Sequence, residues 1–171
     1  SINSVLNQTY INLEILIIYD DKKKDDLEYI KSCIKNDSRT KIILNDKNRG
    51  VAFSRNKAIS AAQGKYIAFL DCDDYWKANK IEVQMNFMLT HGYDFSYTTY
   101  QVINSDGKIV DKIKARKKLE YNELLKSCDI GLSSVILKRK LLNNMKFPEL
   151  KTKEDFVLWL GLAKKSVNLA G

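Results

Sequence analysis

The sequence predicts an α/β fold, a mostly parallel sheet of the doubly wound kind flanked by helices in a single domain. Three observations carry this. The first half of the chain alternates helical and strand periodicity, and strands that alternate with helices assemble as a parallel sheet. The run Tyr66-Ile67-Ala68-Phe69-Leu70 has the β-branched and aromatic content of a buried strand. That run ends on Asp71-Cys72-Asp73-Asp74, and the carboxyl ends of strands are where open α/β sheets bind ligands.

The elements follow in order. Ile2, Val5 and Leu6 form one face of a short helix, and Leu13–Tyr19 is the first strand. A helix over Asp25–Lys35 carries Leu27, Ile30 and Ile34 on one side; Lys41–Leu44 is the second strand. Asn45-Asp46-Lys47-Asn48-Arg49-Gly50 is turn chemistry. A helix over Val51–Ala62 follows, closed by Gly64, and leads into the strand Tyr66–Leu70. Ala78–His91 reads as a helix with Ile81, Met85 and either Met88 or Leu89 facing inward. Phe95–Tyr100 is a strand, and Ser105-Asp106-Gly107-Lys108 a hairpin turn into Ile109–Asp111. Tyr121–Ser127 is a helix, Ser133–Leu137 a strand, and Glu154–Lys165 a last helix with Phe156, Val157, Leu160 and Ala163 as its apolar side. Asn168-Leu169-Ala170-Gly171 is where a further strand begins.

Composition excludes several classes of function. The 171 residues are 44% hydrophobic and 29% charged, as in a globular domain large enough for a real core. The longest apolar stretch, Leu13–Tyr19, is interrupted by Glu14 and is too short to span a bilayer. Ser1–Gln8 lacks the basic start and apolar centre of a signal peptide. Cys33, Cys72 and Cys128 are too widely spaced for a zinc site or a disulfide framework, which fits a reducing, cytoplasmic setting. The single histidine, His91, stands before Gly92 at a helix end, so histidine-based catalysis is not expected. No G-x-G-x-x-G follows any strand, which disfavours a dinucleotide-dependent oxidoreductase.

The formal net charge of +8 attracts phosphate-bearing partners. Its lysines are scattered, apart from Lys22–Lys24 and the run Lys112, Lys114, Arg116, Lys117, Lys118. No aromatic residues interleave with them as on a nucleic-acid platform, so no nucleic acid is expected as partner. The Lys112–Lys118 face offers a peripheral contact with an anionic membrane.

Carboxylates where a buried strand runs out need a partner. Asp71 and Asp73, one residue apart on a turn, suit a hard divalent cation that draws its other oxygens from water and phosphate. The same residues are also those of an ordinary turn, with Asp74 capping the next helix.

Five segments in order then resemble the family 2 glycosyltransferases, which have the Rossmann-like A-type nucleotide-sugar fold. They are Ser4-Val5-Leu6-Asn7-Gln8-Thr9-Tyr10 at the end of the first helix, and Leu13–Asp21 with its paired aspartates. The third is Asn48-Arg49-Gly50 with Ser54-Arg55-Asn56. The last two are Gly64-Lys65-Tyr66-Ile67-Ala68-Phe69-Leu70-Asp71-Cys72-Asp73-Asp74 and Lys153-Glu154-Asp155-Phe156-Val157-Leu158-Trp159-Leu160.

The resemblance implies roles for residues at these positions. Asp20 and Asp21 would reach the base and ribose of a nucleotide-diphospho-sugar, although Lys22–Lys24 replace the usual Gly-Ser after the pair. Arg55, at the start of a helix, would face an anion. Asp71 would contact the ribose or diphosphate, and Asp73 would ligate Mg²⁺ or Mn²⁺. Asp155 would be the general base of an inverting transfer. Glu154 and Asp155 also suit a helix N-terminus through its dipole alone. Trp159 reads as core or as acceptor-site wall, and Trp76 as a sugar platform or a cover for the core. Residues 1–75 would form the nucleotide-binding half and 76–171 the acceptor-side half.

The implied enzyme is a hexosyltransferase type acting on a carbohydrate or lipid-linked acceptor, in surface polysaccharide synthesis at the inner face of the membrane. Two alternatives stand beside it: a truncated, inactive nucleotide-binding or interaction module of the same fold, and a sugar-phosphate nucleotidyltransferase. Against the family pattern the usual first strand is lacking, and the chain reads as cut at both ends. Its neighbouring strands should then have unpaired backbone groups, and the chain should bind nucleotide poorly.

Overall fold

The computed structural model describes residues 1–35 and 37–171. The elements run α1 (Ile2–Leu6), β1 (Ile15–Tyr19), α2 (Leu27–Ile34), β2 (Thr40–Leu44), α3 (Val51–Ala61), β3 (Tyr66–Ala68) and α4 (Lys80–His91). They continue with β4 (Phe95–Ser96), β5 (Tyr100–Ile103), β6 (Ile109–Ile113), α5 (Tyr121–Leu124), β7 (Ile136–Lys138), α6 (Glu154–Lys164) and β8 (Leu169–Ala170), with 3-10 turns at Leu132–Ser134 and Arg139–Leu142.

The strands form three separate groups. β1 pairs with β2 in parallel, Ile17 opposite Ile42. A second sheet has the order β3-β7-β4-β8. In it β7 runs antiparallel to both β3 and β4, while β4 and β8 are parallel. The central sheet is therefore mixed rather than mostly parallel, with β7 its reversed strand. β5 and β6 make a hairpin of their own.

The expected unpaired strands are present. Among the described residues β1 pairs only with β2, and β3 only with β7. A cavity of about 1080 Å³ separates them, lined by Ile15–Tyr19 on one side and Tyr66, Ala68 and Leu70 on the other. Ile15 N–H donates to Arg39 O, and Tyr19 O accepts from Asn45 N–H. Backbone direction alternates along a strand, so the N–H and C=O of Leu16 and Ile18 point away from β2 and toward this cavity.

The larger core centres on Trp159, which is fully buried against Phe69, Phe95 and Phe147 at ring-centroid distances of 5.2–6.5 Å. A second cluster joins Ile81, Met85, Met88 and Ile136 with partly buried Tyr10, Tyr66 and Trp76. Of the two candidates on α4, Met88 faces inward and Leu89 is exposed.

Several expectations are corrected. The strand expected over Phe95–Tyr100 divides into β4 and β5, because Tyr97 turns to give its N–H to Ala170 O and its hydroxyl to Arg116 O. The expected Ser133–Leu137 strand starts as a 3-10 turn and becomes β7 only at Ile136. On α6 the buried apolar side is Leu158, Trp159 and Leu162; Val157 is exposed, and Phe156, Leu160 and Ala163 flank the core. Gly64 does not cap α3, which ends at Ala62 in extended conformation. Its N–H instead donates to Glu14 Oε1, and a Cβ there would lie 3.3 Å from that oxygen. Asp74 does not cap α4, whose N-cap is Asn79.

Candidate active site

The site is built where three elements meet: the turn after β3, the first turns of α3, and the start of α6. Arg55 joins them. Its Nη2 donates to Asp71 Oδ1 at 2.8 Å, and its Nη1 donates to Glu154 Oε1. The guanidinium also lies 5.4 Å from the Phe147 ring centroid. Asn56 clamps the same segment, its Nδ2 donating to Phe147 O at 2.9 Å and its Oδ1 accepting from Phe147 N–H at 3.0 Å. An Arg-Asn pair on α3 thus holds both the acidic turn and the chain leading into α6.

Asp71 is further fixed by its N–H, which donates to Ser133 Oγ at 3.1 Å. Trp76 Nε1–H donates to Ser133 O at 2.7 Å, so the indole is tied down and packed in the second core cluster. Asp73 is exposed. Trp159, one helical turn after Asp155, is core and not a wall of the site.

Asp155 is half-buried beside Glu154. Burial raises its carboxyl above the usual value, the neighbouring Glu154 adds to this, and hydrogen bonding from Phe156 N–H with the Arg55 charge opposes it. A carboxylate made more basic this way is a better proton acceptor. Helix α6, which begins at Glu154, is entered through Lys153 in left-handed conformation, φ 63°, an uncommon geometry for a residue with a side chain.

Asp20 and Asp21 differ. Asp20 accepts from Asn45 Nδ2 (2.7 Å) and Arg49 N–H (2.8 Å) on one oxygen and from Gly50 N–H (2.8 Å) on the other. Burial alone would raise its carboxyl, but the hydrogen bonds from Asn45, Arg49, Gly50 and Ser54 outweigh it, and the net shift is downward. Asp20 therefore shapes the Asn45–Gly50 turn, which needs glycine at position 50 because φ there is 84°. Asp21 is exposed and accepts only from Lys23 N–H, at 3.0 Å. Both aspartates line the cavity between β1 and β3, as do Leu70 and Cys72 beside the acidic turn.

Among the described residues no group of three or more His, Cys, Asp or Glu side chains could hold a metal ion. The chain offers the Asp73 carboxylate, which has no hydrogen-bond partner here, and Asp71 Oδ2, left free by Arg55. Two hard oxygen donors on one turn fit a cation that takes its remaining ligands from a diphosphate and water. Sequence reasoning missed Glu154 as a site residue, because an acid at a helix start is explained by the helix dipole alone.

The α/β fold, with acidic residues at its strand ends, defines the class as a Rossmann-like protein. The family is specific: the model of Glycosyl transferase family 2 matches residues 1–150, and the chain belongs to that family. It is 46% identical over 164 residues to WfgD of Escherichia coli, a UDP-Glc:alpha-D-GlcNAc-diphosphoundecaprenol beta-1,3-glucosyltransferase, covering 96% of this chain and 63% of WfgD. It is 36% identical over 172 residues to TuaG of Bacillus subtilis, named for teichuronic acid biosynthesis, covering 100% of this chain and 68% of TuaG. The chain thus spans about two thirds of the length of these relatives. Among solved structures, S. aureus TarS 1–349 in complex with UDP superposes with a TM-score of 0.77 at 22% identity, over 98% of this chain and 51% of TarS. The mannosyltransferase PcManGT of Pyrobaculum calidifontis, in complex with GDP-Man and Mn²⁺, gives 0.72 at 16% identity, over 98% and 48%. These likenesses establish the A-type glycosyltransferase fold.

Proposed function

We propose that this chain forms the donor-binding and catalytic part of an inverting, metal-dependent glycosyltransferase. It would move a sugar from a nucleotide-diphospho-sugar to a hydroxyl of a carbohydrate or lipid-linked acceptor in surface polysaccharide synthesis. The observation that carries the reading is the Arg55 bridge, which ties the Asp71 turn to Glu154, the first residue of α6 and the neighbour of Asp155. The diphosphoundecaprenol acceptor in the WfgD name supports the acceptor class. The sugar-phosphate nucleotidyltransferase reading gives way to the family match.

In this mechanism Asp155 accepts the proton of the acceptor hydroxyl as that oxygen attacks the anomeric carbon, on the face opposite the departing diphosphate; configuration inverts. Asp21 holds the nucleoside from the mouth of the cavity, with Asp20 setting the turn beside it. Asp73 and Asp71 Oδ2 would hold Mg²⁺ or Mn²⁺, which supplies Lewis-acid relief of charge on the leaving diphosphate. Arg55 keeps Asp71 and Asp155 in register and is not a free anion contact, both of its amino groups being engaged by carboxylates.

Calorimetric titration of UDP and then GDP, with and without Mn²⁺, tests the reading. Binding that needs Mn²⁺ and is lost in Asp73→Ala supports it. Absence of metal-dependent nucleotide binding, for a chain whose fold is intact by circular dichroism, overturns it for residues 1–171. The open cavity between β1 and β3 favours weak binding by residues 1–171 alone.

A further inference from the structure

Among the described residues the β5–β6 hairpin pairs with no other strand, and it carries apolar side chains where water would favour polar ones. Tyr100 and Val102 lie on one face, and Gln101 and Ile103 on the other. The Tyr100 face turns toward the body: a Cβ on Gly131 would lie 3.1 Å from the Tyr100 ring. The opposite face carries the cross-strand pairs Ile103–Ile109 and Gln101–Lys112. The register shift between Val102 and Ile103 makes Val110 an extra residue on β6. Ile109 is 58% exposed and Val110 61%, with Val102 and Ile103 also exposed.

Positive charge surrounds this apolar edge. Lys108, Lys112, Lys114 and Lys117 are exposed, and none makes an ion pair among the described residues. The cations nearby that are paired are Arg116, with Asp129, and Lys118, with Glu120. Asp106 and Asp111 are the hairpin's own acids. Aliphatic side chains bordered by unpaired lysines match an anionic bilayer surface, where the methyl groups reach the acyl boundary and the ammonium groups meet lipid phosphates.

We propose that the β5–β6 hairpin docks on an anionic lipid bilayer through Ile103, Ile109 and Val110, with Lys108, Lys112 and Lys114 engaging the headgroups. The base of the hairpin adjoins the candidate active site. The Tyr100 ring lies against Gly131, in the segment that leads to Ser133, whose Oγ accepts the N–H of Asp71. Docking would hold the site at the height of a lipid-linked acceptor's headgroup, a consequence that rests on the acceptor class proposed above.

Co-sedimentation with vesicles tests the docking without donor or acceptor. The chain should sediment with vesicles of equal phosphatidylglycerol and phosphatidylcholine, and not with phosphatidylcholine alone. Ile109→Ser with Val110→Ser should weaken binding about tenfold, and Lys112→Ala with Lys114→Ala by a similar factor. Failure to bind anionic vesicles overturns the proposal, as does full binding by the Ile109→Ser, Val110→Ser protein, which would assign attraction to the overall charge. Nucleotide titration is a separate readout, so loss of the functional reading and loss of this proposal are distinguishable. A hairpin that pairs with a protein instead would leave the vesicles unbound.

Discussion

Arg55 and Glu154 form a buried ion pair across 99 residues of sequence, with side chains 13% and 9% exposed. Neither is an isolated charge, because Arg55 also holds Asp71. Removing one partner leaves the other desolvated without compensation, a loss of about 3 kcal/mol for a pair this buried. Arg55→Ala should therefore lower the melting temperature by about 6–12 °C. Arg55→Met combined with Glu154→Gln should recover part of that loss, because no uncompensated charge is left in the pair. Thermal denaturation of the two variants beside the parent chain checks this, and a double variant no more stable than Arg55→Ala would contradict it.

Asp155 supplies a pH test. Its folded carboxyl is raised by burial first and Glu154 second, so the folded chain holds this proton more tightly than the unfolded one. Stability from this group is full below the ordinary carboxylate value and is lost as pH rises through the raised value. Asp155→Asn should leave the melting temperature unchanged near pH 3 and raise it at pH 7. Metal-dependent nucleotide binding should survive, while sugar transfer by the enzyme should fall by at least about 100-fold.

Lys80 titrates in the opposite sense. Its Nζ is buried without a hydrogen-bond partner and lies 4.4 Å from the Trp76 ring centroid. Burial lowers its pKa to about 7. Between there and the ordinary lysine value the unfolded chain binds the proton and the folded chain does not, so stability rises with pH, at most about 1.4 kcal/mol per unit. Below pH 7 the full cost of burying the charge is present, offset in part by the indole face. Lys80→Met should raise the melting temperature at pH 6 by about 4 °C and flatten the rise between pH 7 and 9. An unchanged slope in that variant would assign the rise to other groups.

The elements that sequence alone located are those bounded by clear turn and breaker residues. β1, β2, α3 and α4 fall within a few residues of where their patterns put them. What the pattern hid was decided by distant partners. α6 is apolar around most of its circumference, so periodicity could not choose between Val157 and Leu158; Phe69, Phe95 and Phe147 chose by packing on Trp159. The break after Ser96 depends on Ala170 and Arg116 receiving Tyr97, neither of which is local. At the site, Asp71, Asp155 and Arg55 stand in recognisable local motifs. Glu154 looked like a helix-terminal acid until α3 folded against it, and Asp20 looked free until the turn at Asn45–Gly50 closed on it.

The unpaired edge of β1 yields a prediction at single-residue resolution. Ile17 and Tyr19 face β2, as Ile15 N–H and Tyr19 O show by their bonds to Arg39 and Asn45. Leu16 and Ile18 direct their N–H groups into the cavity, where the Tyr66–Leu70 side lies too far away to pair with them. Backbone amides without a protein partner exchange with solvent through small openings, whereas those in a ladder need the strand to separate. In residues 1–171, Leu16 and Ile18 should exchange at least about tenfold faster than Ile17 and Tyr19, read by NMR hydrogen exchange. Equal protection at all four positions would mean that the edge is satisfied in solution and the cavity closed. The same edge is an aggregation hazard, so the exchange should be followed at low protein concentration, where a contact between copies would reveal itself as concentration-dependent protection of Leu16 and Ile18 alone.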